Sequence, residues 1–406
     1  MLCHLPKGMH PATSRWLARH IPHALYGMSG LLVLLSGYVL AKYLPVKPCT
    51  GHYFGYWSWL SNWDGQWYQY IAHRGYHYIG KDDYGPQVFF PLYPLLGRLL
   101  DVVSPLHGQL PLVAVSWLAT WGFCLVWMRY ADVRIEAAPA QQAPLWGLAL
   151  ILLWPVSYFL RVAYTEALYL FLLTLFFYGC ARGWRPSYLV GVTGLLTATR
   201  PTALLVCVVL ALHLFLRYRD LPLAKRLLLA ASISVVSAWG LYAYMLYLYL
   251  DFGNPLLFVT KQLAWNYQMP ADIFFRRWQE MLSLRPAWVF LVDGSLLDPS
   301  TYPWNLQNRA MWLASLALIA IGGLKRWLNA EEILFCVLTV LLIYYTSGPK
   351  DMESVGRYVF TMVPMYLVIT RLLLHLPLSL RLGVLALSAT LLAVQSAHFR
   401  LWHCVF

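Results

Sequence analysis

Charge is what this chain has least of. Of its 406 residues only 12% are Asp, Glu, Lys or Arg, where a soluble domain carries about a quarter. Some 60% are hydrophobic, which excludes a soluble globular class. The seven cysteines (Cys3, Cys49, Cys124, Cys180, Cys207, Cys336 and Cys404) are scattered without paired spacing. Neither a disulfide framework nor a thiolate zinc site follows from them. No Gly/Ser-rich linker, internal repeat or low-complexity tract divides the chain, so residues 1–406 read as one membrane domain. A phosphate-binding glycine loop, a dinucleotide fingerprint and a Gly-x-Ser-x-Gly elbow are all missing. Sugar-nucleotide or ATP sites of the common soluble kinds are therefore not expected, nor is nucleic acid a partner. The head, Met1 to His20, carries Lys7, Arg15 and Arg19 before a full-length apolar segment and does not read as a removable signal peptide.

What is present is a succession of apolar stretches of about 20 residues, the length a bilayer requires. They predict about eleven spans, near 24–44, 110–130, 144–160, 166–182, 187–199, 201–217, 227–250, 308–324, 332–347, 357–374 and 382–399. The fifth and sixth are separated by the proline-marked break at Arg200-Pro201. Short turns carrying Arg129, Arg134, Arg182, Arg185, Arg217, Arg219, Lys225, Arg226, Lys325, Arg326, Arg371 and Arg381 fall on one side. The positive-inside rule makes that side cytoplasmic. The excess of base, +13 overall, also suits anionic lipid.

The opposite face is unusual. It takes two long segments, 45–109 and 251–307, and a short one at 348–356. The first contains "VFFPLYPLLGRLLDVV", too charged for a span, and the second "NPLLFVTKQLAWNYQ" and "ADIFFRRWQEML". These read as helices lying in the membrane interface, with Trp and Tyr at headgroup depth. Outer bases, among them Arg74, Arg98, Arg161, Arg200, Lys261 and Arg357, run against the insertion rule and suggest an anion to be met.

Asp64 is the one acid in "WLSNWDGQWYQYIAHRGYHY". On a helix, Trp63, Trp67 and Tyr68 would flank it at i−1, i+3 and i+4. A carboxylate among aromatic faces can take a hydroxyl proton or bind a sugar hydroxyl; equally, "SNWDG" can be a turn whose acid holds a backbone amide. Glu166, with Tyr164 two residues before it, opens the fourth expected span from the outer side. An ionisable group there is costly unless paired or working, although an acid is also favoured in any first helical turn. Arg200 in "TATRPT" and Arg357 in "ESVGRYVF" stand at the same face, where guanidinium groups could bind phosphate bidentately or snorkel to headgroups. Lys261 joins the set. His73 and His77 are one helical turn apart, yet no third ligand is spaced to join them. The doublet Asp82-Asp83 reads as a solvated loop. Neither a divalent metal nor another cofactor is expected.

The ordered blocks "NWDGQWYQYIAHRGY", "FFPLYPLLGRLL", "WPVSYFLRVAYTEALYLFLLTLFFYGCARG", "LVGVTGLLTATRPTALLV", "DFGNPLLFVTKQLAWNY" and "GRYVFTMVPMYLVI" resemble the PIG-V family, the GPI mannosyltransferase 2-like membrane glycosyltransferases. The resemblance covers roughly residues 24–375. It implies an all-α polytopic membrane protein of GT-C type, with interfacial helices in a large first extracytoplasmic loop. It also implies an inverting transfer of mannose from a polyprenyl- or dolichyl-phosphate carrier to a glycan or glycolipid acceptor on the non-cytoplasmic face. The family's acidic motif falls on Trp63-Asp64, which makes Asp64 the general base. Trp63, Trp67, Tyr68 and Tyr164 would then shape the substrate pocket, Glu166 would orient the acceptor or a sugar hydroxyl, and Arg200, Arg357 and Lys261 would hold the phosphate. Membrane lipid is a partner on this view, and a partner subunit is compatible with it. Two other classes remain open: a transporter or flippase of a lipid-linked saccharide, and a non-catalytic subunit that binds the carrier lipid. A transporter would carry polar residues through the bilayer midplane, commonly in paired repeats, whereas here they crowd the outer face.

Overall fold

The computed structural model describes residues 11–44, 58–78, 80, 85–135, 143–264, 304–346 and 354–401. Among these residues every regular element is a helix. Each expected span falls on helix, but few as one unbroken rod. Three stretches are long and apolar enough to cross a bilayer alone: His20–Lys42, Leu110–Arg134 and Leu378–Arg400. A bent pair, Leu223–Ser237 with Trp239–Phe252 angled by 48°, is long and apolar enough only when its two helices are taken together. The remaining apolar helices of the described residues are shorter, among them Ala143–Leu152, Glu166–Ala181 and Val363–Leu374. Hydropathy windows average over backbone breaks, and the breaks here are frequent.

Their causes are local. Helix α1 (Pro11–Tyr38) precedes two short helices of the first outer segment, α2 (Asp64–Arg74) and α3 (Leu92–Val103). After α4 (Leu110–Arg134), α5 (Ala143–Leu152) stops well short of residue 160. Pro155 cannot donate to a preceding turn, so the chain continues in a 3₁₀ turn, Ser157–Leu160. Helix α6 (Glu166–Ala181) follows, then α7 (Pro186–Thr199). Arg200 is extended at φ −153°, and α8 (Leu204–Arg217) begins beyond Pro201, as the residue before a proline favours. Helices α9 (Leu223–Ser237) and α10 (Trp239–Phe252) form the bent pair, and α11 (Leu257–Ala264) starts the second outer segment. Gly194 of α7 and Gly240 of α10 let those two backbones touch, since a Cβ on Gly240 would strike the Gly194 carbonyl.

Four elements close the bundle after α12 (Trp304–Leu324): α13 (Ala330–Thr346), α14 (Val355–Phe360), α15 (Val363–Leu374) and α16 (Leu378–Arg400). On α13, Asn329 and Glu332 cap the first turn reciprocally, each side chain bonding the other's backbone N–H at 2.9 Å. Glu332 also accepts from Tyr130 at 2.5 Å and from Arg134 through both oxygens at 2.7 Å, tying α13 to the C-terminal end of α4. The core centres on α4 and α6, where Phe123, Trp127, Tyr130, Phe176 and Phe177 are almost wholly buried.

The interfacial expectation for the first outer segment finds two helices. On α3, Leu95, Leu99, Val102 and Val103 are exposed while Tyr93, Pro94 and Gly97 pack inward, the apolar outward face an interface helix presents. Tyr93 holds α3 to α4 through the Leu112 carbonyl at 2.8 Å and Ser116 Oγ at 2.7 Å. The stretches "ADIFFRRWQEML" and Asp82-Asp83 lie outside the described residues.

Candidate active site

The turn that presents Asp64 is strained and held from a distance. Trp63 sits at φ 57°, a backbone region few non-glycine residues adopt. Such a conformation persists only where its surroundings over-determine it. Here the Ala163 N–H donates to Leu60 O at 2.7 Å, Tyr164 Oη to Asn62 O at 3.0 Å, and Asn62 Nδ2 to Phe399 O at 2.9 Å. Two distant segments, the loop at Ala163-Tyr164 and the end of α16 at Phe399, therefore fix where α2 begins.

Asp64 is the first residue of α2, and its side chain does not cap the helix. Its Oδ2 instead receives Arg357 Nη1 at 2.7 Å. Arg357, on α14, pairs with Glu166 as well. Glu166 pairs in turn with Arg200, and Arg200 Nε reaches Thr165 Oγ1 at 2.7 Å. Two acids and two bases thus alternate along one chain of contacts, and their formal charges cancel. Glu166 is wholly buried and Arg200 and Arg357 nearly so, while the Asp64 side chain remains 28% exposed. The Arg357 guanidinium also lies over the Tyr164 ring at 5.0 Å, and Arg200 over Tyr169 at 5.6 Å.

A cavity of about 150 Å³ opens above this chain of charges. One water needs only about 10–15 Å³ on that measure, so a group much larger than a single water fits. Asp64, Tyr68, Arg200 and Arg357 line it, together with an apolar side of Val88, Phe89, Phe90 and Leu205. Burial raises the Tyr68 hydroxyl pKa, against the pull of Arg200, so this phenol stays protonated.

The other expected site residues are elsewhere. Glu166 lies beneath the cavity and not in it, where it holds both arginines. Tyr164 is fully buried and supports Arg357 and the Asn62 turn. Trp63 forms the entrance to α2, and Trp67 stacks on Phe89 at 5.9 Å, so each backs the wall without lining it. Lys261 is buried against the Gly80 carbonyl and the Tyr78 ring, while its neighbour Gln262 reaches the cavity. Arg98 is exposed on α3. Arg161 is packed between Tyr26 and Trp117, with ring distances of 4.3 and 4.7 Å. His77 lies beyond the end of α2 and does not share a helical face with His73, whose Nε2 instead meets Gly108 O at 3.1 Å.

Several lining residues escaped the sequence reading: Tyr169, Thr199, Thr202, Thr339, Thr346 and Thr361. Thr199 and Thr202 flank Arg200 in "TATRPT" and were within sight. Thr339 and Thr346 sit in an apolar span that carries no local signal at all.

Two variants test this geometry directly. Glu166→Gln leaves two buried guanidinium groups without their shared counter-charge and is expected to cost about 3–5 kcal/mol. A melting temperature equal to wild type would refute the linchpin role. Lys261→Met, at a residue that does not line the cavity, is expected to leave affinity for a phosphate-bearing lipid within about twofold, because the ammonium is directed at the Gly80 carbonyl and the Tyr78 ring. A tenfold loss in a binding titration would return Lys261 to the site.

Among the described residues, fold and site define an all-helical membrane protein with a charged cavity at one end of its bundle. A scan against protein-family models finds no match, and a search of curated proteins finds none either. Solved structures do resemble it. One is the Archaeoglobus fulgidus oligosaccharyltransferase in complex with zinc and sulfate, at 14% identity and TM-score 0.49, covering 92% of this chain and 53% of that one. Another is the archaeal oligosaccharyltransferase AglB from the same organism, in complex with an inhibitory peptide and a dolichol-phosphate. It gives 12% identity and TM-score 0.46, over 96% of this chain and 56% of that one. The chain spans about half the length of these structures.

Proposed function

We propose that this protein is an inverting membrane glycosyltransferase of GT-C type. It moves a sugar, mannose on the PIG-V-like resemblance, from a polyprenyl-phosphate carrier to a glycan or lipid-linked acceptor on the non-cytoplasmic face. The observation that carries the reading is the convergence of Asp64, Arg200 and Arg357 on one cavity with an apolar side. A glycosyl phosphodiester on a hydrocarbon chain needs both: guanidinium donors for the phosphate and apolar surface for the first carbons of the lipid. On α8, Leu204 and Val208 are exposed beside the cavity residue Leu205, continuing apolar surface toward the bilayer.

The chemistry is a single displacement. The acceptor oxygen forms its bond to the anomeric carbon as the bond from that carbon to the phosphate oxygen breaks, through an oxocarbenium-like state. The bonding electrons leave with the phosphate, where Arg200 and Arg357 stabilise them. Asp64 takes the acceptor's proton. Arg357 is already hydrogen-bonded to Asp64. An arriving phosphate competes for the same guanidinium and frees the carboxylate, so the base is released when the donor is in place. Glu166 keeps Arg357 from leaving altogether.

The test is a transfer assay on purified protein in lipid, supplied with polyprenyl-phosphate-mannose and a panel of acceptors. Both free carrier lipid and mannosylated product are followed. Product formation with stoichiometric release of carrier is expected. Movement of intact donor across the bilayer with no turnover on any acceptor would refute the enzyme and favour a flippase.

A further inference from the structure

Five threonines line the cavity: Thr199, Thr202, Thr339, Thr346 and Thr361. Four of these hydroxyl protons are already committed to the residue's own helix. Thr199 donates to Leu195 O at 2.8 Å, Thr339 to Phe335 O at 2.8 Å, Thr346 to Leu342 O at 2.9 Å and Thr361 to Tyr358 O at 2.8 Å. A hydroxyl has one proton and two lone pairs. With the proton spent, it can only accept.

That restriction sorts ligands. An ionised phosphate oxygen is itself an acceptor and gains nothing from such a threonine. A sugar hydroxyl, which can donate, does. The guanidinium groups of Arg200 and Arg357 are the converse, since they donate and never accept. The cavity is therefore divided by hydrogen-bond polarity as well as by charge.

The acceptor side has a regular source. Thr339, Leu342, Ile343 and Thr346 are spaced i, i+3, i+4 and i+7 and form one face of α13. All four line the cavity, while Val337, Leu341 and Tyr345 are exposed on the same helix. An apolar strip bounded by two acceptors matches a pyranose ring, which has an apolar C–H surface and a rim of hydroxyls.

Building on the glycosyl-transfer reading, we infer that this face of α13 selects the sugar: Thr339 and Thr346 accept hydrogen bonds from ring hydroxyls, and Leu342 and Ile343 pack against the ring's C–H surface. The carrier phosphate is then recognised by the arginines and the sugar by α13, two determinants that can be separated.

Thr339→Val and Thr346→Val remove the hydroxyl and keep the branched shape; Thr339→Ser and Thr346→Ser restore the hydroxyl. Affinities of each purified variant for bare polyprenyl phosphate and for polyprenyl-phosphate-mannose are measured in nanodiscs. Wild type is expected to prefer the sugar-bearing lipid. Each valine variant should lose roughly 3–10-fold of that preference, as one hydrogen bond implies, with affinity for the bare lipid unchanged and the serine variants near wild type. A valine variant that keeps the full preference, or that weakens both lipids equally, overturns the inference. Wild type binding the two lipids equally overturns it while leaving the phosphate-binding reading intact. Wild type binding neither takes both down.

Discussion

Asp64→Asn protein is expected to fold, to bind polyprenyl-phosphate-mannose, and to turn it over about 10²–10⁴-fold more slowly than wild type, the usual worth of a general base. Asparagine has the same shape and retains an oxygen for Arg357 Nη1, which now sits 2.7 Å from Asp64 Oδ2. Arg357 keeps Glu166 as its charged partner, so the architecture beneath the cavity survives. What is lost is the ability to take a proton. The comparison is single-turnover transfer beside donor binding on the same preparation. Wild-type turnover in the asparagine variant would remove Asp64 from the chemistry, whatever its place in the cavity.

Arg357→Gln is expected to lose about 10²–10³-fold in turnover, the effect of removing one donor from a developing anion, and to bind bare polyprenyl phosphate more weakly as well. Arg357 touches both acids and lines the cavity, so on the proposed mechanism its loss removes a phosphate donor together with the group that holds Asp64. Lysine supplies a charge but not the planar fork that can serve two carboxylates and a phosphate. Arg357→Lys should therefore regain affinity for the lipid phosphate more than turnover. Unchanged lipid-phosphate affinity in Arg357→Gln would mean the cavity does not hold the anion there.

Much of this site was legible along the chain, in pieces. Asp64 stood out as an acid among aromatics, and Arg200 as the cation at a proline break. Glu166 and Arg357 were notable as ionisable groups at the outer ends of expected spans. The pattern also suggested that Trp63, Trp67, Tyr164 and Lys261 would face substrate. Instead each supports the wall or the turn behind it. Adjacency to an acid in sequence says little about which face of a helix is free, and a large ring beside a strained turn is as useful for fixing it as for binding.

Composition by itself determined the class, because only a bilayer accommodates so many apolar residues with so few charges. It determined where helices lie, because unpaired backbone cannot be left in hydrocarbon, and it marked the prolines at which they break. Tertiary structure decided that Asp64 meets Arg357 across 293 residues of chain. It buried Glu166 under the cavity, and it turned Thr339 and Thr346 of an apolar span toward that space. The reason is physical. Inside a membrane the lipid-facing and protein-facing sides of a helix are both apolar, so no periodicity records which side will line a site.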